Sequence, residues 1–262
     1  KWDMNRAFSE VFSNGNDRAY QGKLRHNYIL GVYSLYERLI QEFPDVLFES
    51  CASGGARFDP GMLHYAPQAW TSDDTDAVER IKIQYGTSYV YPLSSMGSHV
   101  SASPNHQIFR STSLETRGNV AYFGTFGYEL DITKLTEKEL EQMKEQITFM
   151  KQHRDLIQKG EFYRLKSPFK GNQAAWEVVA KDGSEGLMAY FRVRQPIQGK
   201  LERIYFSGLE ETKAYEVREC FGEKTDFGVH YGDELMYVGF SVSARTGQGD
   251  GYSRLFHFRK VN

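Results

Sequence analysis

Two acidic motifs carry the residue types that chemistry needs. Lys1-Trp2-Asp3-Met4-Asn5-Arg6 and Trp70-Thr71-Ser72-Asp73-Asp74 each bring a short apolar stretch to a carboxylate, and Asp3 and Asp73 lie 70 residues apart (73 − 3). Two carboxylates at strand ends can divide acid/base work between them. One attacks an electrophilic carbon while the other gives and takes a proton, and at about 5–5.5 Å such a pair cleaves a glycosidic bond with retention. A lone aspartate after a strand is usually a helix cap or turn residue, and Asp74 and Asp76 read that way. Asp3 differs because Lys1 stands two residues away, on the same face of an extended segment, where a buried cation would keep the carboxyl ionised. Trp70 reads either as core or as an apolar wall for a sugar ring.

The other candidates carry less. Cys51-Ala52-Ser53-Gly54-Gly55-Ala56-Arg57 lacks the Gly-x-x-x-x-Gly-Lys-Ser/Thr form of a phosphate loop, and no histidine lies at a spacing that would activate Cys51. By itself it reads as a glycine turn beside a core cysteine. His99 and His106, within Gly97–Gln107, are too far apart for a His-Glu-x-x-His metal motif and read as hydrogen-bonding loop residues. No metal and no cofactor is expected.

Elements must position these residues. Residues 28–43 have apolar positions at helical spacing and predict an amphipathic helix. Residues 46–50 predict a buried strand, 68–72 a second, and 76–85 a helix with acidic residues at its start. Tyr89 to Met96 predicts a strand, 113–121 a short helix and 121–130 another strand. A long helix runs from Leu135 to about Ile157, opened by Thr136 and Glu139 in capping-box spacing. Alternating strands and helices imply a parallel sheet, open or closed into a barrel. The pattern changes near Lys159-Gly160. Runs at 176–180, 187–191, 201–206, 214–217, 235–242 and 253–258 then read as short strands, with Asp182-Gly183 as a hairpin turn, which predicts an all-β sandwich.

Composition bounds the partners. A net charge of −2 recruits neither nucleic acid nor an anionic membrane, and no apolar run reaches the ~18 residues of a membrane span. Two cysteines, Cys51 and Cys220, form no disulfide framework, so a reducing, cytoplasmic compartment is expected. A start directly on Lys1-Trp2-Asp3 leads to the expectation that the chain is part of a longer one.

Taken together, Lys1-Trp2-Asp3-Met4-Asn5-Arg6, Glu49-Ser50-Cys51-Ala52-Ser53-Gly54-Gly55-Ala56-Arg57-Phe58-Asp59 and Trp70-Thr71-Ser72-Asp73-Asp74-Thr75-Asp76-Ala77-Val78-Glu79-Arg80 resemble the α-galactosidases of glycoside hydrolase family 36. The resemblance runs over essentially the whole chain. It implies the C-terminal half of a (β/α)8 barrel at residues 1–159, followed by an antiparallel β-sandwich at 160–262. It also implies that an N-terminal β-sandwich, the earlier barrel strands and their acidic pair lie outside this chain. By position it makes Asp3 the nucleophile and Asp73 the acid/base. Lys1 and Asn5 become sugar-hydroxyl contacts, Cys51 and Gly54 the wall around the galactose 2-hydroxyl, and Trp70 a pocket aromatic. The implied substrates are melibiose and raffinose-type oligosaccharides, and the implied assembly is a homotetramer. A transglycosylase, or a non-catalytic carbohydrate-binding protein on the same scaffold, are the alternatives.

Overall fold

A computed structural model describes residues 1–4, 9–197, 202–242 and 249–261. They divide into two compact units, Lys1–Asp73 and Asp74–Asn262.

The first unit holds three short parallel strands, β1 (Trp2–Asp3), β2 (Glu49–Cys51) and β3 (Gln68–Trp70), and two helices, α1 (Leu24–Glu42) and α2 (Pro60–Tyr65). β2 lies between β1 and β3, in the registers Trp2↔Ser50, Asp3↔Cys51, Glu49↔Gln68 and Ser50↔Ala69. Side chains alternate along a strand, so one face carries Lys1, Asp3, Glu49, Cys51, Gln68 and Trp70, and the other carries Trp2, Ser50 and Ala69. The second face packs on the helices. Trp2 joins the core of Tyr36, Met62 and Ala66, its ring centroid 5.0 Å from that of Tyr36. Packing of the half-buried Trp2 ring on the buried Tyr36 adds about 1 kcal/mol beyond its area and so anchors the strand that ends in Asp3. α2 starts where Asp59 caps it by accepting from the Met62 N–H at 2.9 Å, with Pro60 supplying a helix-ready φ.

The buried strand expected at 46–50 is shorter. Pairing begins only at Glu49, and Val46 and Leu47 are exposed, Leu47 by 85%. Among the described residues no partner strand lies at that level, and these side chains line a groove of about 340 Å³ along the edge of β1.

In the second unit, β4 (Met96–Ser101) and β5 (Thr125–Glu129) pair in parallel, among the helices α3 (Ala77–Thr87), α4 (Leu114–Ala121) and α5 (Glu137–Lys159). Asp76 caps α3 by accepting from the N–H groups of Val78 and Glu79, as a post-strand aspartate should. Thr136 and Glu139 form the capping box that opens α5, and Lys159 sits in its last turn, matching the helix dipole. The strand expected at Tyr89–Met96 lies instead at Met96–Ser101. Tyr89 and Val90 are exposed in the turn after α3, because Pro92 and a 3-10 turn over Leu93–Ser95 delay the extended segment. His99 therefore stands on β4, not in a loop.

After α5 the chain turns antiparallel. A six-stranded sheet runs β11-β10-β13-β8-β7-β6, built from β6 (Glu161–Lys166), β7 (Gln173–Val179), β8 (Glu185–Arg192), β10 (Ala214–Glu219), β11 (Asp226–Tyr231) and β13 (Tyr252–Lys260). A two-stranded ladder pairs β9 (Glu202–Ile204) with β12 (Phe240–Val242). Both contribute to one core: Ala175, Met188 and Phe258 from the sheet, Ile204 and Phe240 from the ladder. The Asp182-Gly183 turn joins β7 to β8 as expected, with Gly183 at φ 65. Residues 235–238, expected as strand, form a π-helical turn before Gly239 (φ 83) restarts extension at Phe240.

The composition change at Lys159-Gly160 falls inside this unit, and aromatic packing across it explains why. Trp176 of β7 is fully buried and meets Phe123 at 5.6 Å, Phe191 at 4.6 Å and Tyr85 of α3 at 6.5 Å between ring centroids. Among the described residues, no helix is long and apolar enough to cross a membrane.

Candidate active site

The face of β1–β3 turned away from the helices gathers four of the predicted residues, Lys1, Asp3, Cys51 and Trp70, together with Glu49 and Gln68, in two rows. Asp3, Cys51 and Trp70 form the row nearer the strand ends. Lys1, Glu49 and Gln68 form the row behind it.

In the front row, Cys51 is 1% exposed and its thiol hydrogen-bonds the Asp3 carboxylate. Burial pushes the thiol pKa up. The Gly54 N–H at the sulfur and the Lys1 charge act in the opposite direction, and the Asp3 carboxylate adds to the rise. Cys51 is therefore a neutral donor at neutral pH, not a nucleophile. Trp70 is 2% exposed, and the Lys1 ammonium sits 4.6 Å from its ring centroid, at cation–π distance.

Beyond Cys51 the chain turns sharply. Ala52 donates its N–H to the Gly54 carbonyl at 2.9 Å, with Ser53 at φ 50 and Gly54 at φ 79. Only glycine tolerates Gly54's position. A Cβ there would stand 2.6 Å from Ser72 Cα and 2.9 Å from Asp73 N, and one on Gly55 would stand 2.7 Å from the Thr71 carbonyl oxygen. The glycine loop thus lies flat against the backbone that carries Asp73. Asp3 touches Cys51, Cys51 touches Gly54, and Gly54 lies against the backbone of Asp73, so the chain positions that carry the two aspartates, 70 residues apart in sequence, are linked through the turn. Both carboxylates are solvent-exposed.

Arg57 closes the turn. One guanidinium nitrogen donates to the carbonyl of Cys51 and, at 3.5 Å, to that of Trp2, tying β1 to β2 beside Asp3. The Met4 N–H, donating to the same Cys51 carbonyl at 3.2 Å, adds a further tie.

In the rear row, Lys1 Nζ is 3.6 Å from Glu49 Oε1, and Gln68 Nε2 donates to Glu49 Oε2 at 3.1 Å. The Lys1 side chain is 38% exposed, so the buried cation expected beside Asp3 is a half-exposed one shared with Glu49. Asn5 lies outside the described residues. Glu49, Gln68 and Arg57 were missed as site residues. Glu49 and Gln68 were findable, because each stands two positions before a predicted site residue and so shares its strand face. Arg57 was not, since its role depends on how the turn folds back.

His99 and His106 are not part of this set. His99 Nδ1 is 3.6 Å from Glu129 Oε2, between β4 and β5, and His106 is exposed. Among the described residues, no group of three His, Cys, Asp or Glu side chains could hold a metal ion.

Parallel strands that lead to Asp3 and Asp73 around a glycine turn, with antiparallel sheets following, give the chain an α/β plus all-β construction. The melibiase family profile matches residues 1–160, and the profile of the glycosyl hydrolase family 36 C-terminal domain matches residues 173–258. The chain belongs to the melibiase family, within glycosyl hydrolase family 36. It is 53% identical to alpha-galactosidase AgaA of Geobacillus stearothermophilus over 94% of this chain and 33% of that protein. It is 43% identical to alpha-galactosidase Mel36A of Lactobacillus acidophilus over 100% of this chain and 35% of that one. The crystal structure of an AgaA variant with raffinose superposes with a TM-score of 0.93 at 51% identity, covering 99% of this chain and 35% of the other. The chain thus spans about a third of the length of the curated relatives it matches.

Proposed function

We propose that the protein containing this chain is a retaining α-galactosidase, and that Asp3 and Asp73 are its nucleophile and acid/base. The Asp3 carboxylate attacks the anomeric carbon of a terminal α-galactosyl unit while Asp73 protonates the departing glycosidic oxygen. The C1–O bond breaks as a galactosyl ester forms on Asp3. Asp73 then takes a proton from water, which attacks C1 and releases Asp3. The observation that carries this reading is the contact path Asp3–Cys51–Gly54–Asp73 at adjoining strand ends. The backbones of β1 and β3 are two strand spacings apart, about 10 Å, a span that side chains leaning inward can narrow to the 5–5.5 Å of a retaining pair. A second support comes from AgaA, whose raffinose and stachyose complexes were solved with aspartate substitutions 70 positions apart in its own chain (548 − 478). Asp3 and Asp73 share that separation.

In this reading residues 1–159 are the C-terminal part of a catalytic (β/α)8 barrel and 160–262 a β-sandwich. Lys1 and Asn5 bind sugar hydroxyls, Trp70 backs the pocket, and Cys51 with Gly54 walls the 2-hydroxyl tightly enough to refuse an N-acetyl group. The substrates are melibiose and raffinose-type oligosaccharides, the class bound in the AgaA complexes. A homotetramer is carried over from the family resemblance, and a cytoplasmic location from the low cysteine count.

The test is turnover of a chromogenic α-galactoside by the full-length protein. Asp3→Asn and Asp73→Asn are each expected to lose at least about 10³-fold in kcat without a change in melting temperature. Azide should restore turnover to Asp3→Gly by taking the nucleophile's place. Near-normal activity in either asparagine variant rejects the assignment.

A further inference from the structure

One residue of the Cys51–Asp59 motif belongs neither to the glycine turn nor to the wall of the pocket. Arg57 follows the turn, and its guanidinium comes back onto the strand ends. A single nitrogen, Nη2, donates to the Cys51 carbonyl and, at 3.5 Å, to the Trp2 carbonyl. Cys51 stands opposite Asp3 in the β1–β2 register, and Trp2 immediately precedes Asp3. The Met4 N–H reaches the same Cys51 carbonyl at 3.2 Å. The peptide groups on either side of Asp3 are thus both tied into one junction.

The strand is short enough to need it. β1 has two residues and, among the described residues, pairs only with β2. So short a ladder supplies few backbone bonds, and a charge-assisted donor is worth roughly twice a neutral one. Arg57 is also held in a way that stability alone would not favour, since its Nε is buried without a hydrogen bond among the described residues. Asp59 braces the far end of the segment, capping α2 and accepting from the Tyr33 hydroxyl at 2.8 Å.

We infer that Arg57 is a positioning residue, whose guanidinium clamps the backbone around Asp3 to the end of β2 and so fixes the direction from which the carboxylate attacks C1. It does not touch the substrate and acts through Asp3. The inference rests on the reading of Asp3 as nucleophile given above. Without the guanidinium the end of β1 is held by the Met4 bond and its two-residue ladder, and a shift of about 1 Å in a reacting group can cost about 10²-fold. The other sugar contacts stay in place. Arg57→Ala is therefore expected to lower kcat about 100-fold while KM changes less than about threefold.

The deciding measurement is a double-mutant cycle in the full-length protein, read as kcat and KM on a chromogenic α-galactoside. One background is wild type and the other is Asp3→Gly driven by azide. In the second, azide attacks C1 and expels the leaving group, so no carboxylate on β1 has to be aimed. Arg57→Ala should then cost less than about threefold, whereas a general structural role costs the same in both backgrounds. Equal losses, a loss carried by KM, or wild-type kcat in Arg57→Ala overturn the inference. Should Arg57→Ala fail to fold, Arg57→Lys keeps a cation without the planar fork. It is expected to lose about tenfold in kcat with Asp3 present and less than about twofold in the azide reaction, and equal losses overturn the inference as before. A wild-type protein that leaves the α-galactoside uncleaved, or an Asp3→Gly variant that azide does not revive, strikes the functional reading; an active wild type with indifferent Arg57 variants strikes this inference alone.

Discussion

Replacing Gly54 by alanine tests whether the glycine turn braces Asp73, the proposed acid/base. The added Cβ would stand 2.6 Å from Ser72 Cα, 2.9 Å from Asp73 N and 3.0 Å from Ser72 C. Carbon atoms settle at about 3.5–4.0 Å, so one of the two backbones must retreat by about 1 Å. None of the three obstructing atoms belongs to a flexible side chain that could swing away. The residue also sits at φ 79, where a Cβ costs roughly 1–2 kcal/mol on its own. Overpacking and backbone strain together should destabilise the first unit by about 2–4 kcal/mol. The consequence for activity is larger, because Asp73 is carried by the backbone that moves, and a shift of about 1 Å in a reacting group can cost about 10²-fold. We therefore expect Gly54→Ala to lower kcat/KM on a chromogenic α-galactoside about 100-fold, mainly through kcat. Gly31→Ala is the matched control: a Cβ there meets nothing within 4 Å, and alanine within α1 should hold or raise stability by about 0.5–1 kcal/mol. Wild-type kcat/KM and melting temperature in Gly54→Ala would refute the idea that this turn sets the position of Asp73.

Two further outcomes concern buried titratable groups. Glu177 is fully buried in the β-sheet core. Its Oε1 accepts the Ser207 N–H at 2.5 Å and its Oε2 is buried without a hydrogen bond. Burial raises its pKa well above the carboxylate range, against the lowering effect of the Ser207 N–H. A raised folded pKa means stability that is complete below the unfolded value of about 4.3 and declines as pH rises toward the folded one, by about 1.4 kcal/mol per unit. Glu177→Gln lacks that decline. Its stability relative to wild type, from urea midpoints at pH 5 and pH 6, should thus be greater at pH 6 than at pH 5, and parallel pH curves would contradict the buried neutral acid. Cys51, 1% exposed with its thiol pKa raised by burial, should resist iodoacetamide at pH 8 in the native protein and react once unfolded in urea; rapid native labelling would place the thiol elsewhere.

Much of the architecture was legible before folding because it is local. Strand alternation put Asp3 with Lys1 and Cys51 with Glu49 on shared faces, and the Thr136–Glu139 spacing announced the start of α5. The Asp182-Gly183 turn and the short runs around it announced antiparallel pairing. The failures share a cause. Val46-Leu47 and Tyr89-Val90 are apolar enough to read as buried strand, yet apolarity marks a candidate for burial and cannot supply the neighbour that buries it. Residues 235–238 likewise read as strand until the π-helical turn and Gly239 reset the backbone.

Sequence by itself determined which side chains were chemically equipped: two aspartates, a lysine, a cysteine beside glycines, a tryptophan. Only the tertiary structure decided how they meet. That Asp3 reaches Asp73 by way of a thiol and a side-chain-free residue, that Arg57 ties two carbonyls together, and that Lys1 is shared with Glu49 all follow from strand register and from the fold-back of one turn. Register is a non-local quantity. It is fixed when the Trp2 side of the strands packs on Tyr36 and the helices, and that burial leaves the opposite face, with its charges, free to form a site.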